Sequence, residues 1–428
     1  MTTEVSIMNK HAVALAADSA VTISVSSDVA PKIFHSVDKL FMLSQSRPVG
    51  IMIYGSASFM RMPWETLIKE YRKKLGDRDE ACLEDYAIGF IDYLRGHNKR
   101  SGSELNFVEQ WHIIRFLNWF KARFQQQVEE ALKQAGSASE SDKQRAKLLR
   151  GRLAACLADI SKFLQSLDQL EYVSGHKAEE LLATNKDWLE GVWSEIFDDT
   201  AFTSVQKKKL LGLMGDAVSR DYFFSENDSG IVIAGFGETE LYPVMVRCNF
   251  EGFLFDRLKY SRYQVVRIDD KRRSFITPFA QSDAIYTFIQ GIDPGLMRRI
   301  EQSLKHYGDS FQQQLRSTLE QQNIPIEQTE HIVAAMDQFA AGQGESLSTN
   351  LGHYAQKTYI DPVVEAVAFL PKHELSHLAE SLITLASLRK KMSTESETVG
   401  GPVDVAVISK GDGFVWIKRK QYFDRSSN

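Results

Sequence analysis

Met1-Thr2-Thr3-Glu4-Val5-Ser6-Ile7, followed by Val13-Ala14-Leu15-Ala16-Ala17-Asp18, is the stretch that decides how this chain folds. Residues 3–8 alternate polar and apolar, and residues 11–18 form a compact apolar run. Asn9-Lys10 is the tight turn expected between two such strands. Thr2 becomes the first residue once the initiator Met1 is removed, and threonine is small enough for that removal to be routine. A threonine in that place carries a hydroxyl nucleophile and a free amine on one residue. An α-amino group titrates near ~8, so a useful fraction is free at neutral pH to take the hydroxyl proton. Threonine also favours strands, and the dipeptide alone reads first as the opening of a plain edge strand.

Outward from this hairpin, residues 21–26, 39–43 and 49–54 read as strands. Gly55-Ser56-Ala57-Ser58 is a small-residue turn leading into a helix over about 57–75, and a second helix covers 80–96. The opening therefore predicts an antiparallel β meander followed by helices. Helical periodicity runs almost unbroken from about 103 to 222, with breaks at Gly136-Ser137-Ala138-Ser139 and Ser174-Gly175. The aromatic stretch Trp111…Phe116…Trp119-Phe120…Phe124 reads as a packing face. Strands return at 230–236, 241–248, 252–255 and 263–268, helices at 283–355 and 361–392, and a final hairpin over 402–418. Strands at both ends with helices between point to α+β rather than an alternating βαβ order. Residues 1–100 and 223–428 are expected to form one domain, elaborated by helices at about 290–355, with 103–222 as an all-helical insertion.

Bulk properties narrow the function classes. The chain has 428 residues, 43% of them hydrophobic, enough for a large core. A net charge of −5 gives no reason to expect a nucleic-acid partner. Three scattered cysteines, Cys82, Cys156 and Cys248, fit a reducing compartment without a disulfide framework. No apolar run approaches the ~18 residues of a membrane span. Residues 10–21 superficially resemble a signal peptide, but their apolar run is short and Asp18 interrupts it. The expectation is a cytoplasmic protein.

Five blocks in order carry a family resemblance. Thr2-Thr3-x-Val5-Ser6 with Val13-Ala-Leu-Ala-Ala-Asp18-Ser19 resembles the start of a proteasome β-subunit or of the bacterial HslV protease. Lys32-Ile33-Phe34, followed by Asp38-Lys39-Leu40, resembles the strand that carries the family's catalytic lysine. Ile53-Tyr54-Gly55-Ser56-Ala57 resembles its oxyanion turn, and Gln281-Ser282-Asp283 a serine turn that begins a helix. Gly400-Gly401-Pro402-Val403-Asp404-Val405-Ala406-Val407-Ile408 resembles the entry to its late strand. The resemblance implies a four-layer αββα sandwich of the N-terminal-nucleophile hydrolase class and a threonine peptidase acting through an acyl-enzyme on Thr2. It implies that Lys32 lowers the pKa of the Thr2 hydroxyl, with Lys39 as a substitute, and that Asp18 holds the lysine charged. It implies that the Gly55 N–H stabilises the oxyanion and that Ser282 positions the amine. The family carries an Asp shortly before the late Gly-Gly pair; here that register falls on Ser396, flanked by Glu395 and Glu397. Peptide or protein substrates, a homo-oligomeric ring or dimer and an ATP-dependent unfoldase partner follow from the same resemblance. No cofactor does, and no Walker A motif is present.

His373-Glu374-Leu375-Ser376-His377 is a competing signal. On a helix this HExxH puts two imidazoles on one face with a glutamate between them, as zinc hydrolases require, and Glu397 could supply a third ligand. The plainer reading is an amphipathic surface helix. A third alternative is a catalytically inactive assembly protein built on the proteasome-like fold.

Overall fold

The computed structural model describes residues 2–23, 32–96, 102–135, 142–170, 183, 185–197, 202–222, 229–254, 257–261, 263–322, 324–393 and 399–420. The strands are β1 (Thr3–Asn9), β2 (Val13–Ala17), β3 (Val21–Ile23), β4 (Lys32–Phe34), β5 (Leu40–Met42), β6 (Val49–Tyr54), β7 (Ser58–Phe59), β8 (Met62–Pro63), β9 (Ser229–Gly235), β10 (Val244–Leu254), β11 (Arg257–Tyr260), β12 (Gln264–Arg267), β13 (Ser274–Ala280), β14 (Asp404–Ser409) and β15 (Gly413–Lys418). The helices are α1 (Trp64–Leu75), α2 (Leu83–Arg95), α3 (Gly102–Ala135), α4 (Asp142–Ser166), α5 (Lys186–Phe197), α6 (Ser204–Val218), α7 (Asp283–Gln290), α8 (Pro294–Gln321), α9 (Ile326–Ala355), α10 (Asp361–Ala368) and α11 (Lys372–Lys391). The chain is thus a mixture of helices and antiparallel strand pairs. It divides into two units, one of residues 1–54, 234–244 and 267–428, the other of residues 55–233 and 245–266.

The first unit is built on a five-stranded sheet in the order β13-β1-β2-β14-β15. Its centre is the opening hairpin, with Met8 opposite Val13 and Glu4 opposite Ala17. Asn9 makes the turn: its Oδ1 accepts from the His11 and Ala12 amides at 2.9 and 3.3 Å. Its Nδ2 donates to the Val367 and Leu370 carbonyls, tying the turn to the end of α10. The strand pleat then sorts the β1 side chains. Val5 and Ile7 join Ala14, Ala16, Val405 and Val407 beneath Leu375, Ala379, Leu382 and Ile383 of α11. Each of the buried valine, leucine and isoleucine side chains contributes about 1.5–3 kcal/mol. Glu4, Ser6 and Met8 therefore face the other way, although they too are buried. On that side β6 comes close: a Cβ at Gly50 would lie 2.7 Å from Ile408 Cδ1 and 2.9 Å from Phe414. Helix, sheet and strand pair stack in that order.

β13 is a strand that periodicity did not suggest, because Pro278 interrupts its ladder. Pro278 stands opposite Val5 on an edge strand, where proline is tolerated. Here the structure adds to the sequence reading: β13 completes the sheet beside β1.

In the second unit the helix expected from residue 57 begins later, at Trp64. Residues 58–63 instead form a short hairpin, with Met60 and Arg61 at φ +49° and +64°. Helices α3–α6 pack around Phe116, Leu117, Phe120, Leu157, Ile160 and Met214, so the aromatic stretch is a packing face. In the same unit the Glu251 side chain, 2% exposed, forms ion pairs with Lys259 Nζ at 2.8 Å and His112 Nδ1 at 2.6 Å. Burial pushes the Glu251 carboxyl up, but His112 and Lys259 outweigh it and hold it below the carboxylate range. Among the described residues no helix is long and apolar enough to cross a membrane.

One glycine in the first unit is irreplaceable on steric grounds. Gly235 has φ +146°, and a Cβ there would lie 2.0 Å from the Pro48 carbonyl oxygen, which also accepts from Phe236 N at 3.1 Å. Gly235→Ala is expected to cost about 3 kcal/mol or more, combining backbone strain with overpacking. A denaturant midpoint equal to wild type would contradict this packing.

Candidate functional site

Thr2 lies just ahead of β1 and is 2% exposed. The end of β13 holds it in place: the Gln281 amide donates to the Thr2 carbonyl at 2.9 Å, and the Thr3 hydroxyl donates to the Gln281 carbonyl at 3.0 Å. Ala280, in the left-handed region at φ +55°, turns the chain out of the strand there. The Thr2 hydroxyl donates to Glu4 Oε2 at 3.2 Å. Residues two apart on a strand share a face, so this pairing follows from the pleat.

Asp18 follows β2 and gathers three segments. Its Oδ1 accepts from Thr3 N at 3.1 Å and from Lys39 Nζ, and its Oδ2 accepts from Gly400 N at 3.0 Å. Gly400 stands at φ +153°, which suits glycine at this close approach. Lys39 Nζ also lies 3.4 Å from Glu4 Oε1. Lys39 is 2% exposed, whereas Lys32 is exposed and sits opposite Ile23 in the β3–β4 hairpin. Of the two lysines weighed from the sequence, Lys39 is the one brought to Asp18. Its backbone reason is the bond from Ile53 N to the Lys39 carbonyl, 2.8 Å, which anchors it against β6.

The other expected residues divide. Gly55 ends β6 at φ +78°, the conformation of a glycine turn. Ser282 occupies the N-cap position of α7 without a side-chain cap bond and adjoins Gln281, the residue bonded to Thr2. Ser396, with Glu395 and Glu397, lies outside the described residues. His373 and His377 are exposed on α11 with ring centroids 4.4 Å apart. Among the described residues no group of three His, Cys, Asp or Glu side chains is placed to hold a metal.

Glu4 is the site residue that the motifs did not single out. Its one signal was the single charge in residues 3–9, two residues from the nucleophile. Its pKa is raised from 4.5 to about 8. Burial is the largest cause; Lys39 pulls the value down and Asp18 pushes it up. Charge counting gives the same direction: two carboxylates share one ammonium, and protonating Glu4 leaves the cluster neutral. A second buried set adjoins it. Lys420 Nζ reaches Asp404 Oδ2 at 2.6 Å, Asp38 Oδ1 at 2.9 Å and Ser19 Oγ at 3.1 Å.

Two stability outcomes follow from this geometry. Lys39→Met leaves Asp18 buried without its cation and should cost about 3–5 kcal/mol, against no more than ~0.5 kcal/mol for Lys32→Met at the surface; equal denaturant midpoints for the two variants would contradict the assignment. Glu4 binds its proton more tightly folded than unfolded, so its contribution is present below pH 4.5 and is lost as pH rises to about 8. Glu4→Gln should therefore gain stability relative to wild type across that interval, measured as the Tm difference at its two ends.

No protein-family model and no curated protein matches the chain. Among solved structures it is similar to the Anbu (Gly-1) mutant from Hyphomicrobium sp. strain MC1, at 9% identity over 100% of this chain and 90% of that one, with a TM-score of 0.26.

Proposed function

We propose that the chain is an N-terminal-threonine amidohydrolase, a proteasome-like peptidase of the N-terminal-nucleophile class, working through an acyl-enzyme on Thr2 once Met1 is removed. The observation that carries this is the Thr2 cluster: a hydroxyl bonded to Glu4 at 3.2 Å, beside a Lys39 cation held by Asp18, which also holds Thr3 N at 3.1 Å. In this reading Thr2 Oγ attacks an amide carbonyl. Lys39 takes the part expected of Lys32, favouring the negative charge that develops on the attacking side. The sequence resemblance adds Gly55, Ser282 and Ser396 to the same proposal. It also adds the four-layer sandwich, the division into a hydrolase domain and a helical insertion, homo-oligomeric assembly, peptide or protein substrates and an unfoldase partner.

The 2% exposure of Thr2 favours a second reading, a non-catalytic assembly protein of this fold. One experiment separates the two. Intact-mass measurement of the purified protein should show Thr2 as the first residue, and Thr2→Ala should lower hydrolysis of a fluorogenic peptide-amide panel at least ~10³-fold. Activity that survives in Thr2→Ala, or no hydrolysis by a chain that has lost Met1, ends the peptidase reading.

A further inference from the structure

Taking the proposed peptidase as its basis, we infer that Glu4 is the catalytic base of this site: its Oε2 takes the proton of Thr2 Oγ as the hydroxyl attacks.

The geometry singles out this side chain. Thr2 lies just ahead of the first strand, two residues from Glu4, and the Thr2 hydroxyl already donates to Glu4 Oε2 at 3.2 Å. Asp18 is committed elsewhere, its Oδ1 to Thr3 N and Lys39 and its Oδ2 to Gly400 N. Lys39 Nζ is engaged by Asp18 Oδ1 and lies 3.4 Å from Glu4 Oε1. Glu4 touches the reacting oxygen with one carboxylate atom and faces the cation with the other, 3.4 Å away. The charged groups that face it are Lys39 and Asp18. The neighbouring strands β5, β6 and β13 carry no charged side chain (Leu40–Met42, Val49–Tyr54, Ser274–Ala280), and α11 packs on the opposite face of β1 through Val5 and Ile7. A base near 8 is poised for proton transfer close to neutral pH.

The step balances as follows. The Thr2 O–H bond breaks and its proton passes to Glu4 Oε2, while the Oγ–C bond to the substrate carbonyl forms. When the C–N bond breaks, Glu4 returns that proton to the leaving amine. Water then attacks the ester, giving a proton to Glu4, which restores it to Thr2 Oγ as the acid leaves.

The test is the rate at which a β-lactone acylates Thr2 in the full chain, read by intact mass across neutral and mildly alkaline pH. In wild type the rate should rise through about pH 8. The Thr2 amine titrates in the same range, so variants make the distinction. Glu4→Gln matches the protonated side chain in shape and should fold, yet acylate ~10²-fold or more slowly and lose the alkaline rise. Glu4→Asp should recover part of the rate, and it supplies the readout if Glu4→Gln does not fold. Wild-type rate and pH profile in Glu4→Gln, or an unchanged profile in Glu4→Asp, would overturn the role of Glu4 while leaving Thr2 as nucleophile. Absence of acylation in wild type that has lost Met1 would instead overturn the peptidase reading, and this assignment with it.

Discussion

Beneath the start of β1, two carboxylates and one ammonium share a buried space. Taking a charge out of water costs several kcal/mol unless its partners replace the lost hydration. Asp18 meets that cost with the Lys39 ammonium and two backbone amides, Thr3 and Gly400. Those contacts join the first strand, the end of the second, the approach to β5 and the approach to β14. The register of the sheet and the placement of Thr2 both depend on them. Removing one charge would leave its partner stranded in a dry interior, so this cluster constrains the fold as well as the chemistry.

Glu4 completes the set at a different cost. With one cation for two acids, burial wins over the lysine and Glu4 takes its proton at a pH where exposed glutamates have long lost theirs. A carboxyl in that state exchanges a proton near neutrality, which suits a group beside a hydroxyl nucleophile. The adjoining Lys420 set repeats the pattern of one lysine between two aspartates, Asp38 and Asp404. It links the residue after Asp18 to the late strand through Ser19.

Much of the scaffold was legible because its signals are local. The two-residue pleat marked β1 and β2, small-residue turns marked the end of β6, and the hairpin pattern over 402–418, turning at Gly411-Asp412-Gly413, marked β14 and β15. What local signals could not carry was partner choice. β13 hid behind Pro278, whose tolerance depends on being at a sheet edge. The hairpin at 58–63 hid because its two left-handed residues, Met60 and Arg61, are not glycines. Lys32 and Lys39 both lie downstream of Asp18, and only the path of the β3–β4 hairpin separates an exposed lysine from a buried one.

By itself the amino-acid sequence determined most of the strands and helices, the placement of Thr2 beside the start of a hairpin and Asp18 at its end, because these rest on short-range periodicity and turn chemistry. Tertiary structure alone decided that Lys39 is the partner of Asp18, that Gly400 donates to it across the sheet and that Glu4 is dry. Burial and charge pairing are properties of the space the whole unit encloses, and no window of neighbouring residues contains them.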